Sequence, residues 1–105
     1  MASRSLSFEL ESPMGQSVAR CRKALQGLGW EVSLAANGRL VGYEDQVRLR
    51  CMEGPIQLEV QVLERPRYRS EIVLEASMTG RGPIQSKRLR ERIPALERAI
   101  RREIG

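Results

Sequence analysis

Eighteen basic side chains, thirteen acidic ones and no histidine occur in this chain of 105 residues, for a formal charge of +5. The missing imidazole excludes more than the surplus charge explains. Histidine is the commonest general base and the commonest metal ligand, so Ser-His-Asp, Cys-His and zinc–histidine chemistry have no base or ligand here. The thiols do not replace it. Cys21 and Cys51 form no C-x-x-C pair, and two donors are too few for a metal site. They read as reduced, buried thiols; a disulfide would require the helix bearing Cys21 to lie over the strand bearing Cys51. Among the carboxylates, Glu44 and Asp45 are adjacent, which on a strand sends them to opposite faces and fits a turn better. Glu59 and Glu75 would be neighbours if their strands pair, as ordinary surface acids. The stretch Gly80-Arg81-Gly82-Pro83 departs from the spacing of a phosphate-binding loop and lacks its lysine. The expectation is a protein without catalytic residues, metal or cofactor.

The cations have a pattern. Seven of them (Lys87, Arg88, Arg90, Arg92, Arg98, Arg101 and Arg102) fall in the last nineteen residues against Glu91, Glu97 and Glu103, which places +4 of the net charge there. On a helical wheel all seven point away from the apolar arc of Leu89, Ile93, Leu96, Ile100 and Ile104. One reading is a phosphate-tracking face for nucleic acid or an anionic surface. The other is a solvated helix face, with Glu97 and Arg101 in the favourable i,i+4 order and cations suiting the helix C-terminus. Arg65, Arg67 and Arg69 around Tyr68 are a second basic feature, fitting either an anionic ligand or a solvated loop.

The elements that must carry these residues follow from periodicity. Leu6, Phe8 and Leu10 alternate with polar residues over 5–11, a half-buried strand. Ser12-Pro13 fits the N-cap and first position of a helix over 14–28, whose apolar face is Met14, Val18, Cys21, Leu25 and Leu28 and which stops at Gly29. Trp30, Val32 and Leu34 alternate in a second strand. Asn37-Gly38 signals a type I′ hairpin into a third strand over 39–44, where Gly42 marks a bulge or a close contact. Val47, Leu49 and Cys51 form a fourth strand or continue the third. Ile56 to Val62 and Ile72 to Met78 alternate cleanly on either side of an Arg65-Pro66-Arg67 turn. The last segment switches to helical period, with Pro94 on the solvent side predicting a kink or a restart.

This order is α+β: a curved antiparallel sheet of about five strands, an N-terminal helix and a longer C-terminal helix packed on one face (β-α-β4-α), in a single domain over 1–105. The opening, strand–Ser12-Pro13–helix–Leu28-Gly29-Trp30–strand, resembles small bacterial helix-grip domains of the START/Bet v1-like kind, and the same order describes the TATA-binding-protein-like fold. The resemblance is one of topology, because those residues cap and pack. It implies a sheet wrapping the C-terminal helix, while the inward positions here are already filled by Leu, Val, Ile and Trp30. A double-stranded-RNA-binding domain is loosely similar at Gly80-Arg81-Gly82 before Lys87, but the extra first strand departs from it.

The functional expectation is a small binding domain. Its partner would be a protein or a small apolar ligand, the latter lined by Trp30, Leu58, Leu74, Leu89 and Ile93 between sheet and helix. The alternatives are nucleic-acid or anionic-surface binding through the basic helix, and self-association, for instance as a homodimer. No apolar run approaches a membrane span and no apolar leader opens the chain, so a cytoplasmic location is expected.

Overall fold

Period-two alternation builds the sheet, and its apolar side recruits both helices. The computed structural model describes residues 2–44, 56–78 and 83–103. β1 (Ala2–Leu10) leads into α1 (Met14–Gly27), then β2 (Glu31–Ala36), β3 (Arg39–Tyr43), β4 (Gln57–Arg65), β5 (Arg69–Met78) and α2 (Pro83–Arg102). The strands form one antiparallel sheet in the order β1-β5-β4-β3-β2, open at β1 and β2. This is the α+β architecture expected. The strand expected over Val47–Cys51, the loop residues Gly80–Gly82, and Ile104 lie outside the described residues.

The register sorts side chains by face. Leu6 on β1 opposes Leu74 on β5, which opposes Val60 on β4, which opposes Leu40 on β3. The next rung is Phe8, Ile72 and Val62. Apart from Leu6, which is partly buried and packs against them, these residues form one buried cluster with Trp30, Leu58, Ala76, Leu89, Ile93, Leu96 and Ile100. α2 covers β1 and β5, and α1 covers β2, β3 and β4, so both helices lie on this face and the other is bare.

Local expectations were corrected where packing overrode them. α2 begins at Pro83 and runs through Pro94, which is half-buried rather than on the solvent side. An interior proline costs about 3 kcal/mol. Fully burying a Leu or Ile side chain contributes about 1.5–3 kcal/mol, and Leu89, Ile93, Leu96 and Ile100 are all buried, so the apolar stripe holds the helix continuous. Ser12 does not cap α1: the residue before the helix is Pro13, and no side chain caps it. Leu28, expected on the buried face of α1, is 47% exposed, and Leu34 is 57% exposed because β2 is the sheet's edge.

At the Asn37-Gly38 hairpin only Gly38 has positive φ (75°), so the turn is not type I′. A Cβ at Gly38 would stand 2.9 Å from the Val62 carbonyl oxygen, which leaves no room for a side chain. Gly42 marks neither a bulge nor a close approach: a Cβ there would stand 3.5 Å from the Glu31 carbonyl oxygen and 3.7 Å from the Trp30 ring, ordinary contact distances, and the irregularity in the β2–β3 ladder falls between Leu34 and Ala36.

Candidate functional site

The bare face of the sheet carries the site. Odd-numbered residues of β1, β4, β5 and β3 point away from the helices, and the register aligns them in rungs. One rung is Tyr43, Gln57, Ser77 and Ser3; the next is Val41, Glu59, Glu75 and Ser5. Together these two rungs line a trough of about 470 Å³, bordered also by Arg4, Leu58 and Ala76. Its depth follows from the residue types. Serines on β1 and β5 leave the backbone low, while Tyr43, Glu59 and Glu75 are longer.

Glu59 and Glu75 are register partners, as anticipated for paired strands. Glu59 is also held by Arg39, with Nε 2.9 Å from its Oε1. Glu75 is exposed, and among the described residues no ion pair satisfies it.

The five residues expected to line a ligand between sheet and helix are brought together, but as core. Their exposures are 8% for Trp30, 1% for Leu58, 0% for Leu74, 2% for Leu89 and 1% for Ile93. Of the five, Leu58 alone borders the trough, which lies on the opposite side of the sheet from α2.

The seven cations of α2 are not one face. Arg88 turns inward, its Nη2 donating to Glu44 Oε1 at 2.6 Å, and Arg92 Nε stands 3.6 Å from Glu44 Oε2. Arg101 pairs with Glu97 at 2.7 Å and lies over the Phe8 ring, 4.9 Å from its centre. Lys87, Arg90, Arg98 and Arg102 are exposed. At the β4–β5 hairpin, Arg65 pairs with Glu71 at 2.9 Å, and Arg69 reaches Glu11 at 3.2 Å and Glu9 at 3.7 Å. Arg67 and Tyr68 form the tip, both with left-handed backbone (φ 65° and 58°), and Tyr68 is 82% exposed. A second depression of about 570 Å³ lies between this tip and Pro13.

Two polar clusters were not legible from the sequence. Glu44, 8% exposed, accepts from the Ile56 amide at 3.0 Å as well as from Arg88, so it ties the end of β3 to the start of β4 and to α2. Nothing in a Glu-Asp pair marks a buried acid. The partner that buries it lies 44 positions away. Ser12, Ser17 and Ser70 form a buried hydroxyl cluster at the junction of β1, α1 and β5. Ser70 Oγ donates to the Ser12 carbonyl at 2.7 Å, and the Ser17 and Ser70 hydroxyls are 3.0 Å apart. Beside it Arg20 donates to the Ile100 and Arg101 carbonyls at 3.3 and 3.1 Å, satisfying the last turn of α2. Cys21 next to it is a buried free thiol, pushed up to about 12 by desolvation, with the Arg20 charge acting the other way. A thiol so placed is not a nucleophile.

Solved structures share this arrangement. A protein from Thermobifida fusca superposes with a TM-score of 0.54 at 15% identity, covering 90% of this chain and 84% of that one. The Zhui aromatase/cyclase from Streptomyces sp. R1128 gives 0.51 at 10% identity, covering 94% and 92%. A conserved protein from Geobacillus kaustophilus gives 0.50 at 9%, covering 94% and 90%. The likeness supports a helix-grip fold. At these identities it speaks for the fold alone. No protein-family model matches the chain, and no curated protein matches it. No helix among the described residues is long and apolar enough to cross a membrane.

Proposed function

We propose that this chain is a small-molecule binding module that performs no chemistry of its own and works in the cytoplasm. The observation that supports it most is the trough on the bare sheet face. Its volume of about 470 Å³ falls within the roughly 300–1,000 Å³ usual for ligand sites. Its lining offers hydroxyls, an amide, a phenol, two carboxylates and a guanidinium, and nothing arranged as nucleophile with base. The fold shared with an aromatase/cyclase is consistent with a ligand-carrying sheet, although the ligand here would lie outside the grip. The test is a titration with a chemically mixed fragment library, read by amide chemical shifts. Shifts confined to residues 3–5, 41–43, 57–59 and 75–77 support the trough. Shifts centred on Trp30, Leu89 and Ile93 would instead return the ligand to the space between sheet and helix and overturn this assignment.

A second reading is favoured by the four exposed cations of α2, Lys87, Arg90, Arg98 and Arg102, whose side chains lie in solvent. That row would contact a polyanion such as duplex nucleic acid.

A further inference from the structure

Resting on the trough as the binding site, we infer that its ligand is an organic cation with two or more ammonium groups, a di- or polyamine. The ion pairs of the bare face carry this. Glu59 has Arg39 at 2.9 Å, Glu71 has Arg65 at 2.9 Å, and Glu9 and Glu11 share Arg69 at 3.7 and 3.2 Å. Glu75, on the trough floor, has no ion pair among the described residues. It stands directly opposite Glu59, and like charges opposed across two strands cost stability. Arg4 borders the trough from the rung it shares with Leu58 and Ala76, the residues that face the helices, and it forms no ion pair with Glu75. A second exposed acid without an ion pair among the described residues, Glu31, is the register partner of Tyr43 on the same face.

The unmatched charge beside these rungs is therefore negative, in a chain whose net charge is +5. A carboxylate only accepts hydrogen bonds and an ammonium group only donates them. Such a charge-assisted bond is roughly twice as strong as a neutral one, which favours an amine over an uncharged ligand. The spacing asks for more than one ammonium group. Glu75 and Glu31 are three strand spacings of about 4.8 Å apart and one rung of about 7 Å apart along the strands, so roughly 16 Å separates their Cα atoms. One ammonium group fits beside Glu75, Ser5 and Ser77. Methylenes cross Val41, and a second cation meets the Tyr43 ring, 40% exposed, next to Glu31.

The test is amide-shift titration of the full chain with spermidine, with 1,4-butanediol and inorganic phosphate as parallel probes. The expected result is saturable, millimolar-range shifts by spermidine at residues 3–5, 41–43, 57–59 and 75–77 that weaken as salt is raised, and none by the other two. Glu75→Gln should weaken binding about tenfold. Tyr43→Ala should weaken it about threefold, and Tyr43→Phe should match the parent. Glu64→Gln, which removes an exposed acid near the far end of β4, should change nothing. Melting temperatures of the variants within a few degrees of the parent exclude unfolding as the cause. If butanediol or phosphate moves these amides as strongly as spermidine does, or if Glu75→Gln weakens binding no more than Glu64→Gln, the amine assignment fails and the binding-module reading stands. If no probe and no library fragment moves them, both fall.

Discussion

Among the described residues, the hydrogen-bonded buried side chains Glu44, Arg20, Ser12, Ser17 and Ser70 sit at joints between elements, while Arg20 Nε is buried without a hydrogen-bond partner. Glu44 meets Arg88 and the Ile56 amide where the end of β3, the start of β4 and α2 converge. Arg20 closes the far end of the same helix. Cys21 lies between them in chemistry: polar in name, it packs as a small apolar group at 0% exposure. This placement has a consequence for pH. The thiol titrates near 9.0 when free and near about 12 in the fold, raised by burial. Below the free value both states hold the proton and the folded state loses nothing. Between the two values only the unfolded thiol ionises, so the unfolded state binds fewer protons and stability falls as pH rises, at up to about 1.4 kcal/mol per unit. Urea denaturation from pH 8.5 to 10.5 should therefore show a steeper alkaline loss in the parent than in Cys21→Ala, whose absolute stability is lower. Parallel curves for the two proteins would show that Cys21 is not held neutral by the fold.

Elements announced by periodicity were legible: the strands carrying Phe8, Leu58 and Leu74, and the helix carrying Leu89 to Ile100, sit where alternation and helical spacing place them. Turn geometry was less so, because it depends on what the turn packs against. Asn37-Gly38 has the residues of a type I′ turn, yet only Gly38 is left-handed, with the Val62 carbonyl pressed against it. Conversely, the β4–β5 hairpin places two side-chain-bearing residues, Arg67 and Tyr68, in left-handed backbone where glycine or asparagine is usual. The strand register demands that geometry and the sequence does not advertise it. The trough was illegible for a related reason: its two rungs draw on four strands, and only the register shows that Ser3, Ser77, Gln57 and Tyr43 are neighbours. The hairpin strain is measurable. Tyr68 is 82% exposed and buries little, so Tyr68→Gly removes backbone strain at slight packing cost and should stabilise by up to about 1 kcal/mol, after allowing for glycine's greater unfolded entropy. A higher urea midpoint at unchanged slope is the expected result. A lower midpoint would mean that the Tyr68 ring packs in solution against the neighbouring Pro13 and Pro66.

Taken whole, the molecule has two unlike surfaces: a hydroxyl-rich sheet face and a helical face where the surplus charge sits. Half of the net +4 in the last nineteen residues looks structural at first, since Arg88, Arg92 and Arg101 are tied to Glu44 and Glu97. The four exposed cations, Lys87, Arg90, Arg98 and Arg102, are what an external polyanion would meet, with Glu91 among them as the single opposing charge. Contact of three or four phosphates on duplex DNA would make log affinity fall against log salt with a slope of about −3 to −4. Arg98→Gln combined with Arg102→Gln removes two of those contacts and should flatten the slope by about 2, without touching Glu44 or the core. The trough reading predicts no change in fragment binding at residues 3–5, 41–43, 57–59 and 75–77 for the same double variant, because the sheet lies between the two faces. If the parent shows no duplex binding at low salt, or a slope that the double variant leaves intact, the helix is a solvated face and its arginines act only through Glu44, Glu97 and Phe8.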